Sequence, residues 1–507
     1  MAEQILLPRE ARTLFRRCEL VGKLTSGLCR GKMQATIAVF DSEHADSFGE
    51  FCKRNSAPCS LLYVSKLGEV TAPPLAEDSD VRTDLSRYRV WRRDKEVKEI
   101  NSLVEYPWQN KVTFYIGCSF AFEKALQDVG VPLRNVEQQC NVSMYRTNIS
   151  CKPVGPFHTN MVVCMRPVPQ NLLKETFEAT QDFVGAHGAP IHIGDPEVIG
   201  IGNLHTPDWG GTLKFHEGEV PVFWACGVTV LEAIASSGVD LAFTHALGSM
   251  FICDVSVDYC GMSVSSSPVA IVNVSSPAQE FSASVVSMPI ARKIRDLQNC
   301  LFSTTCIDDE LLVAACCLSH SNLVVVVLHC CLNGDELKGF GVFLRALVCL
   351  PGKTKVYIDE TKSDMHADLE QLLQYCGVDD EVTLVTDLET LSTIQFDSLI
   401  VVGNPTRQLL ECWKPVILAK CHIIAIGPSY LTGLRSVRIS GNCVVALVVL
   451  ALSICLLQSC PIHVRYLARG ICEEPVKGRA VTDQIISEMQ GPQCFESLLA
   501  MAVEVVV

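Results

Sequence analysis

A chain of 507 residues exceeds what one hydrophobic core usually serves, so two or three domains of roughly 100 to 200 residues are expected. Apolar residues make up 48% and charged residues 19%, a balance that excludes a disordered scaffold. The formal net charge of −14 argues against a nucleic-acid partner, because an acidic surface repels the phosphate backbone unless a basic stripe compensates.

The opening segment, Met1 to Gln34, has no apolar region of the secretory type. Arg9, Arg12, Arg16 and Arg17 give it a presequence-like character that Glu3, Glu10 and Glu19 interrupt. The densest basic stretch, Arg87 to Lys98, also carries Asp94 and Glu96 and reads as a solvated face. The 26 cysteines are scattered through apolar strings such as Val313 to Leu318, where a thiol behaves as a small buried hydrophobe. No C-x-x-C occurs, and Cys455, Cys460 and His463 lie in an apolar run that reads as core, so no metal and no other cofactor is expected. Reduced thiols and an intracellular compartment are the expectation.

Up to about Val255 the chain is rich in Gly, Pro and His between short apolar segments, the pattern of a mixed α and β domain with functional loops. In Met144 to Cys151, Arg146 offers a bidentate fork for a carboxylate, and Thr147 and Asn148 offer neutral hydrogen bonds. Arg166 follows an apolar strand and is a second candidate clamp for a substrate with two carboxylates; pairing with a structural acid is the alternative for either arginine. The twelve residues Gly185 to Pro196 hold two histidines, an aspartate, three glycines and two prolines, which cannot form a regular helix. His187 and His192 are expected to share proton transfers, with Asp195 orienting a ring, the alternative being turn caps. Val220 to Trp224 reads as a buried strand ending at Cys226-Gly227, suited to a nucleophile or a backbone oxyanion site, and Cys118 is a second candidate thiol. His245, in Thr244-His-Ala246, completes the catalytic set.

From Ser263 to Ser287 the composition turns to Ser, Val, Ala and Pro, which places a linker at 263–287 between domains 1–262 and 288–507. Beyond it, Ala291 to Cys300, Phe340 to Val348 and Met365 to Cys376 read as helices. Asn322 to Leu328, Lys355 to Asp359, Val382 to Thr386 and Phe396 to Val402 read as strands. This alternation predicts a Rossmann-like, doubly wound parallel sheet, with loops beginning at His329, Glu360 and Gly403 beyond the strand ends. No G-x-G-x-x-G or P-loop follows those strands. Cys443 to Leu457 is fifteen residues, short of the roughly 20 that span a bilayer, and reads as a buried helix or strand, so no membrane is expected.

Phe114 to Leu126 (FYIGCSFAFEKAL), Met144 to Pro167, His187 to Ile201 (HGAPIHIGDPEVIGI), Glu219 to Thr229 (EVPVFWACGVT) and Thr244-His245 resemble, in order and spacing, the putative hydro-lyase family. In animals that domain is fused to a C-terminal D-glutamate cyclase domain. Pro8 to Arg12, Thr25 to Leu28, Gln34-Ala35 and Arg82 to Leu85 fall where the family has its N-terminal motifs. The resemblance covers Pro8 to Asp254 and implies conversion of D-glutamate to 5-oxo-D-proline with loss of water. It also implies the mitochondrial matrix of the animal members, the cytosol being the alternative. Where the family reads THAPGHM and PDWGD, this chain has Thr244-His-Ala-Leu-Gly-Ser-Met250 and Pro207-Asp-Trp-Gly-Gly211, and the G-D-G-G-N-E string of the C-terminal domain is absent. Activity is therefore expected in the N-terminal domain, on a small-molecule substrate, with the C-terminal half a packing or homo-oligomerisation partner. The alternatives are a non-catalytic binding or regulatory protein that keeps the pocket, and a hydro-lyase for another small carboxylic acid.

Overall fold

The structure, a computed structural model, describes residues 6–93, 95–257, 268–276, 281–301, 309–328, 334–350, 352–358, 363–386, 395–403, 421–426, 437–439, 443–469 and 471. The chain is mixed α/β and divides into two units, Met1–Pro268 with Ala468–Cys472, and Val269–Leu467 with Glu473–Val507.

In the first unit, β1 (Lys32–Asp41, KMQATIAVFD) is buried from Met33 to Phe40, as its near-continuous apolar run requires of a central strand. It pairs antiparallel with β5 (Lys111–Gly117) on one side and with β10 (Leu241–His245) and β11 (Phe251–Ser256) on the other. With β2 (Leu61–Val64), β3 (Tyr88–Arg92) and β4 (Lys95–Ile100) these make a seven-stranded sheet, β2-β5-β1-β10-β3-β4, with β11 off that path. A second antiparallel sheet runs β6 (Ser143–Ser150), β7 (Asn160–Pro169), β9 (Glu219–Ala225), β8 (His192–Ile193). β7 tolerates Pro167 because β6 has already ended opposite Met165, so that residue owes β6 no ladder hydrogen bond. Both sheets contribute to one apolar cluster that includes Phe40, Phe114, Met165 and Phe223, together with Phe48, Phe51 and Ile234 from the helices Ala45–Arg54 and Val228–Ser237.

The second unit begins inside the stretch expected to be a linker. There β12 (Val269–Asn273) and β13 (Ala283–Ser287) pair antiparallel, and the helix Met288–Leu301 follows directly. A six-stranded sheet is built from β14 (Leu323–Leu328), β15 (Lys353–Ile358), β16 (Val382–Val385), β17 (Ser398–Val402), β18 (His422–Ile426) and β19 (Val437–Ile439). Its order is β16-β15-β14-β17-β18-β19, with every pairing parallel. Val324, Val326 and Leu328 of β14 enter one apolar cluster and Val325 and Val327 enter another, so both faces of the sheet are covered. The run from Cys443 is a helix, Cys443–Gln458, and Leu447, Leu450, Ile454 and Leu457 pack in the first of those clusters. Among the described residues no single helix is long and apolar enough to cross a membrane. The expected loop starts at His329 and Glu360 lie outside the described residues.

Candidate active site

One small cleft in the first unit gathers residues from the ends of several strands. Thr36 comes from β1, Cys118, Ser119 and Phe120 from just past β5, His245 from the last position of β10, and Cys226, Gly227 and Val228 from the β9-to-helix junction. Asn141, Val142, Met144, His187, Gly248 and Met250 complete the lining. Its volume is ≈ 30 Å³, room for about two waters.

Close backbone packing assembles this cleft. A Cβ on Gly117 would lie 1.6 Å from the Gly185 carbonyl oxygen, so only glycine lets the end of β5 meet the loop that carries His187. His187 itself has φ 80°, in the left-handed region that a non-glycine residue occupies at a cost. Its backbone N–H donates to Ser60 Oγ at 3.1 Å, and its Nδ1 lies 2.8 Å from the Ala57 carbonyl oxygen. That oxygen can only accept, so Nδ1 carries the proton and Nε2 of the neutral ring is the acceptor.

His245 is 2% exposed, and its Nδ1 has no hydrogen-bond partner among the described residues. Burial pushes the His187 ring down to about 4 and the His245 ring down to about 3, so both are neutral near pH 7. Beside them, Gly227 caps the N-terminus of the ten-residue helix Val228–Ser237. A Cβ on Gly227 would lie 2.4 Å from Thr36 Oγ1, so the side-chain-free position lets that hydroxyl approach the partial positive charge of the helix end.

Behind the lining is a buried polar cluster. Arg166 is 1% exposed; its Nη2 lies 3.2 Å from Glu123 Oε1 and 3.3 Å from Ser119 Oγ, its Nη1 3.5 Å from Cys164 Sγ, and its guanidinium sits over the rings of Phe122 and Trp224. A hydrogen bond from Cys226 draws the Cys164 thiol down to about 6 with help from Arg166 and Ser119, while the same bond and burial push Cys226 up. Burial also pushes Cys118 up to about 12 and raises Glu123 despite Arg166.

The structure therefore brings His187, His245, Cys118, Cys226 and Gly227 together and leaves the other expected site residues apart. Arg146, expected to clamp a carboxylate, is exposed; it bonds Asp208 and Glu232, both at 2.8 Å, and covers the Trp209 ring. Thr147 donates to the Met161 carbonyl oxygen, and Asn148 is exposed beside Gly200. Arg166 answers Glu123 and Cys164 rather than opening to the cleft. His192 approaches the Asp195 main-chain carbonyl through Nε2 at 2.6 Å and Arg469 through Nδ1 at 3.3 Å, and burial pushes it down to about 3. The Asp195 carboxylate accepts from the Glu197 backbone N–H, capping a turn, so the expected ring-orienting contact is made by its backbone instead. Ser119, Asn141, Thr36 and Cys164 belong to the neighbourhood of the cleft and were not singled out from the sequence. Among the described residues no group of three or more His, Cys, Asp or Glu is placed to hold a metal ion.

Neutral imidazoles, the Cys226 thiol and a helix N-terminus thus surround one small cleft, with Cys164 behind it. A family profile described as D-glutamate cyclase matches residues 112–254, a span that holds every lining residue but Thr36. A protein named "Putative hydro-lyase" from Psychrobacter arcticus is 43% identical over 249 residues, covering 49% of this chain and 94% of that protein. Proteins of the same name from Natranaerobius thermophilus and Bacillus pumilus are 46% identical over 230 residues and 44% identical over 247 residues. They cover 45% and 49% of this chain, and 88% and 94% of their own lengths. The chain belongs to the D-glutamate cyclase and hydro-lyase family.

Proposed function

We propose that the cleft converts D-glutamate to 5-oxo-D-proline and water. The observation that carries this reading is His245: a buried ring with an unpartnered Nδ1 in the cleft, beside a helix N-terminus, inside the segment matched to D-glutamate cyclase. In this reading the α-carboxylate rests at the N-terminus of Val228–Ser237, where backbone N–H groups and the helix dipole favour an anion. The α-amine faces the His187 side of the cleft and the γ-carboxyl faces His245. The amine nitrogen forms a bond to the γ-carboxyl carbon, a carbon–oxygen bond at that carbon breaks, and two protons travel from nitrogen to the departing oxygen. Neutral rings suit that traffic, since each accepts a proton at one nitrogen and offers one at the other. The second unit, whose strand order runs outward from β14 in both directions, we take as a doubly wound partner domain outside this chemistry.

A second reading, a hydro-lyase for another small carboxylic acid, is favoured by the absence of arginine and lysine from the cleft lining. The two readings separate when purified protein is given D-glutamate, L-glutamate and a panel of 2-hydroxy acids while products are followed by NMR. Formation of 5-oxoproline from D-glutamate supports the first, and loss of water from a hydroxy acid without it supports the second. Calorimetric binding of D-glutamate with no product from any substrate would make the cleft a binding site alone.

A further inference from the structure

Strand pairing brings two cysteines far apart in sequence to one place behind the cleft. In the β7–β9 register Cys164 stands opposite Trp224, and the Cys226 N–H donates to the Val162 carbonyl oxygen at 3.0 Å. Cys226 is thus the diagonal neighbour of Cys164, two residues on, and the two side chains share a face of the sheet. Each thiol shifts the other, Cys164 down and Cys226 up. Cys164 is fully buried and has Ser119 Oγ at 3.4 Å and Arg166 Nη1 at 3.5 Å, so a negative charge on its sulfur meets a cation and a hydroxyl. Cys226 lines the cleft at the helix N-terminus and is also hydrogen-bonded to the Val228 backbone.

We propose that Cys226 is a catalytic proton carrier of the cleft and that Cys164, held as a thiolate by Arg166 and Ser119, is the positioning residue that takes up and returns its proton. The pair holds one proton between two sulfurs, and the sulfur facing the cleft exchanges it with substrate. The identity of the substrate rests on the cyclase reading; the thiol pair does not.

In the cyclase reaction the pair works twice. The ammonium of D-glutamate first gives a proton to the pair, which passes it to a γ-carboxyl oxygen. The free amine then attacks the γ-carboxyl carbon, forming the C–N bond while the C=O π electrons move to oxygen. The nitrogen, now positive, gives a second proton through the pair to the hydroxyl, which leaves as water with the C–O bonding electrons as the oxyanion electrons re-form the C=O bond. The pair ends as it began, with no oxidant or reductant consumed. His187 and His245 stay neutral well below pH 6, so they relay a proton without storing one, and storage falls to the pair. The thiol pair gives up its first proton near 6, within the range where a general base works at neutral pH. The ionisable groups around it are Arg166 on β7, Glu123 in the helix Glu123–Asp128, Cys118 past β5, and His187 and His245 across the cleft.

The test uses the full chain as wild type, Cys164→Ser and Cys226→Ser, with iodoacetamide labelling of Cys226 read by peptide mass spectrometry from pH 5 to 9, alongside D-glutamate turnover. Labelling of Cys226 in the wild type is expected to stay suppressed through the ordinary thiol range, because the proton of the pair rests on Cys226, and in Cys164→Ser to appear at lower pH, because the neighbouring sulfur that raises it is gone. The acid limb of kcat, set by Cys164 near 6, should move up in that variant. Cys226→Ser should lower kcat by about 100-fold or more with little change in KM. A labelling profile that Cys164→Ser does not move, or wild-type kcat in Cys226→Ser, overturns the proposal. An intact labelling shift in a protein that forms no 5-oxoproline keeps the pair and discards the substrate.

Discussion

Acidification from pH 7 to pH 5 should destabilise the N-terminal unit through its three buried histidines. His187, His192 and His245 have folded-state values of about 4, 3 and 3, all below the ordinary 6.5, and burial is the leading cause in each. A ring whose folded value is depressed binds its proton later in the native state than in the unfolded chain. Between pH 6.5 and about 4 the unfolded chain therefore holds up to three more protons, and stability is lost as pH falls through that window. At pH 5 each ring contributes 1.5 pH units at 1.36 kcal/mol each, about 2 kcal/mol, and the three together about 6 kcal/mol. That is comparable to the whole stability of an ordinary domain. Glu123 and Asp84 oppose part of this, because burial raises their folded values and they take up protons sooner in the native state. Urea unfolding followed by tryptophan fluorescence reports the right unit, since Trp91, Trp108, Trp209 and Trp224 lie in it and only Trp413 does not. Stability should fall steeply between pH 6.5 and 5, and each single His→Gln change should flatten the slope by about one proton. A stability that stays level from pH 7 to 5 would refute the claim that these rings are buried and neutral.

Gly117→Ala should abolish soluble expression or lower the melting temperature sharply, because its Cβ would meet the Gly185 carbonyl oxygen at 1.6 Å, backbone against backbone. Arg146→Lys should leave KM and kcat for D-glutamate within about twofold, as an exposed arginine paired with Asp208 and Glu232 holds no substrate. A large rise in KM would return Arg146 to the site. Arg166→Met should cost about 3–5 kcal/mol in denaturant unfolding, since it leaves Glu123 buried without its cation. An unchanged midpoint would contradict that pairing.

The parallel sheet of the second unit was legible because β14, β15, β16 and β17 are short apolar runs punctuated by helical patterns, and each expected strand or helix overlaps an observed one. The run from Cys443 was ambiguous between helix and strand, since it is apolar on every side and shows neither period. In the site, the loops carrying His187, Cys226 and His245 meet at one cleft, whereas Arg146 is exposed and Arg166 pairs with Glu123 behind it. In β6 the burial alternates, with Tyr145 and Thr147 buried and Arg146 and Asn148 exposed, so neighbours in that string could never have faced one substrate together. That much the period of a strand could have told. The company of Cys164 and Cys226 could not be read, because it depends on the β7–β9 register, and nothing local in either string sets which residues stand opposite. The Asp195 carboxylate likewise stands just before Pro196 and Glu197, an N-cap position, which is a signal for capping rather than for orienting a histidine.

The central claim is that the cleft around His245 acts on D-glutamate, and turnover of D-glutamate by full-length wild type and His245→Asn, measured side by side, tests it most directly. With D- and L-glutamate labelled at the γ-carboxyl carbon and followed by carbon NMR, the wild type should form 5-oxoproline from the D enantiomer. His245→Asn, with unchanged circular dichroism, should be slower by about 100-fold or more. Absence of product from either enantiomer, or an undiminished rate in His245→Asn, would contradict the account.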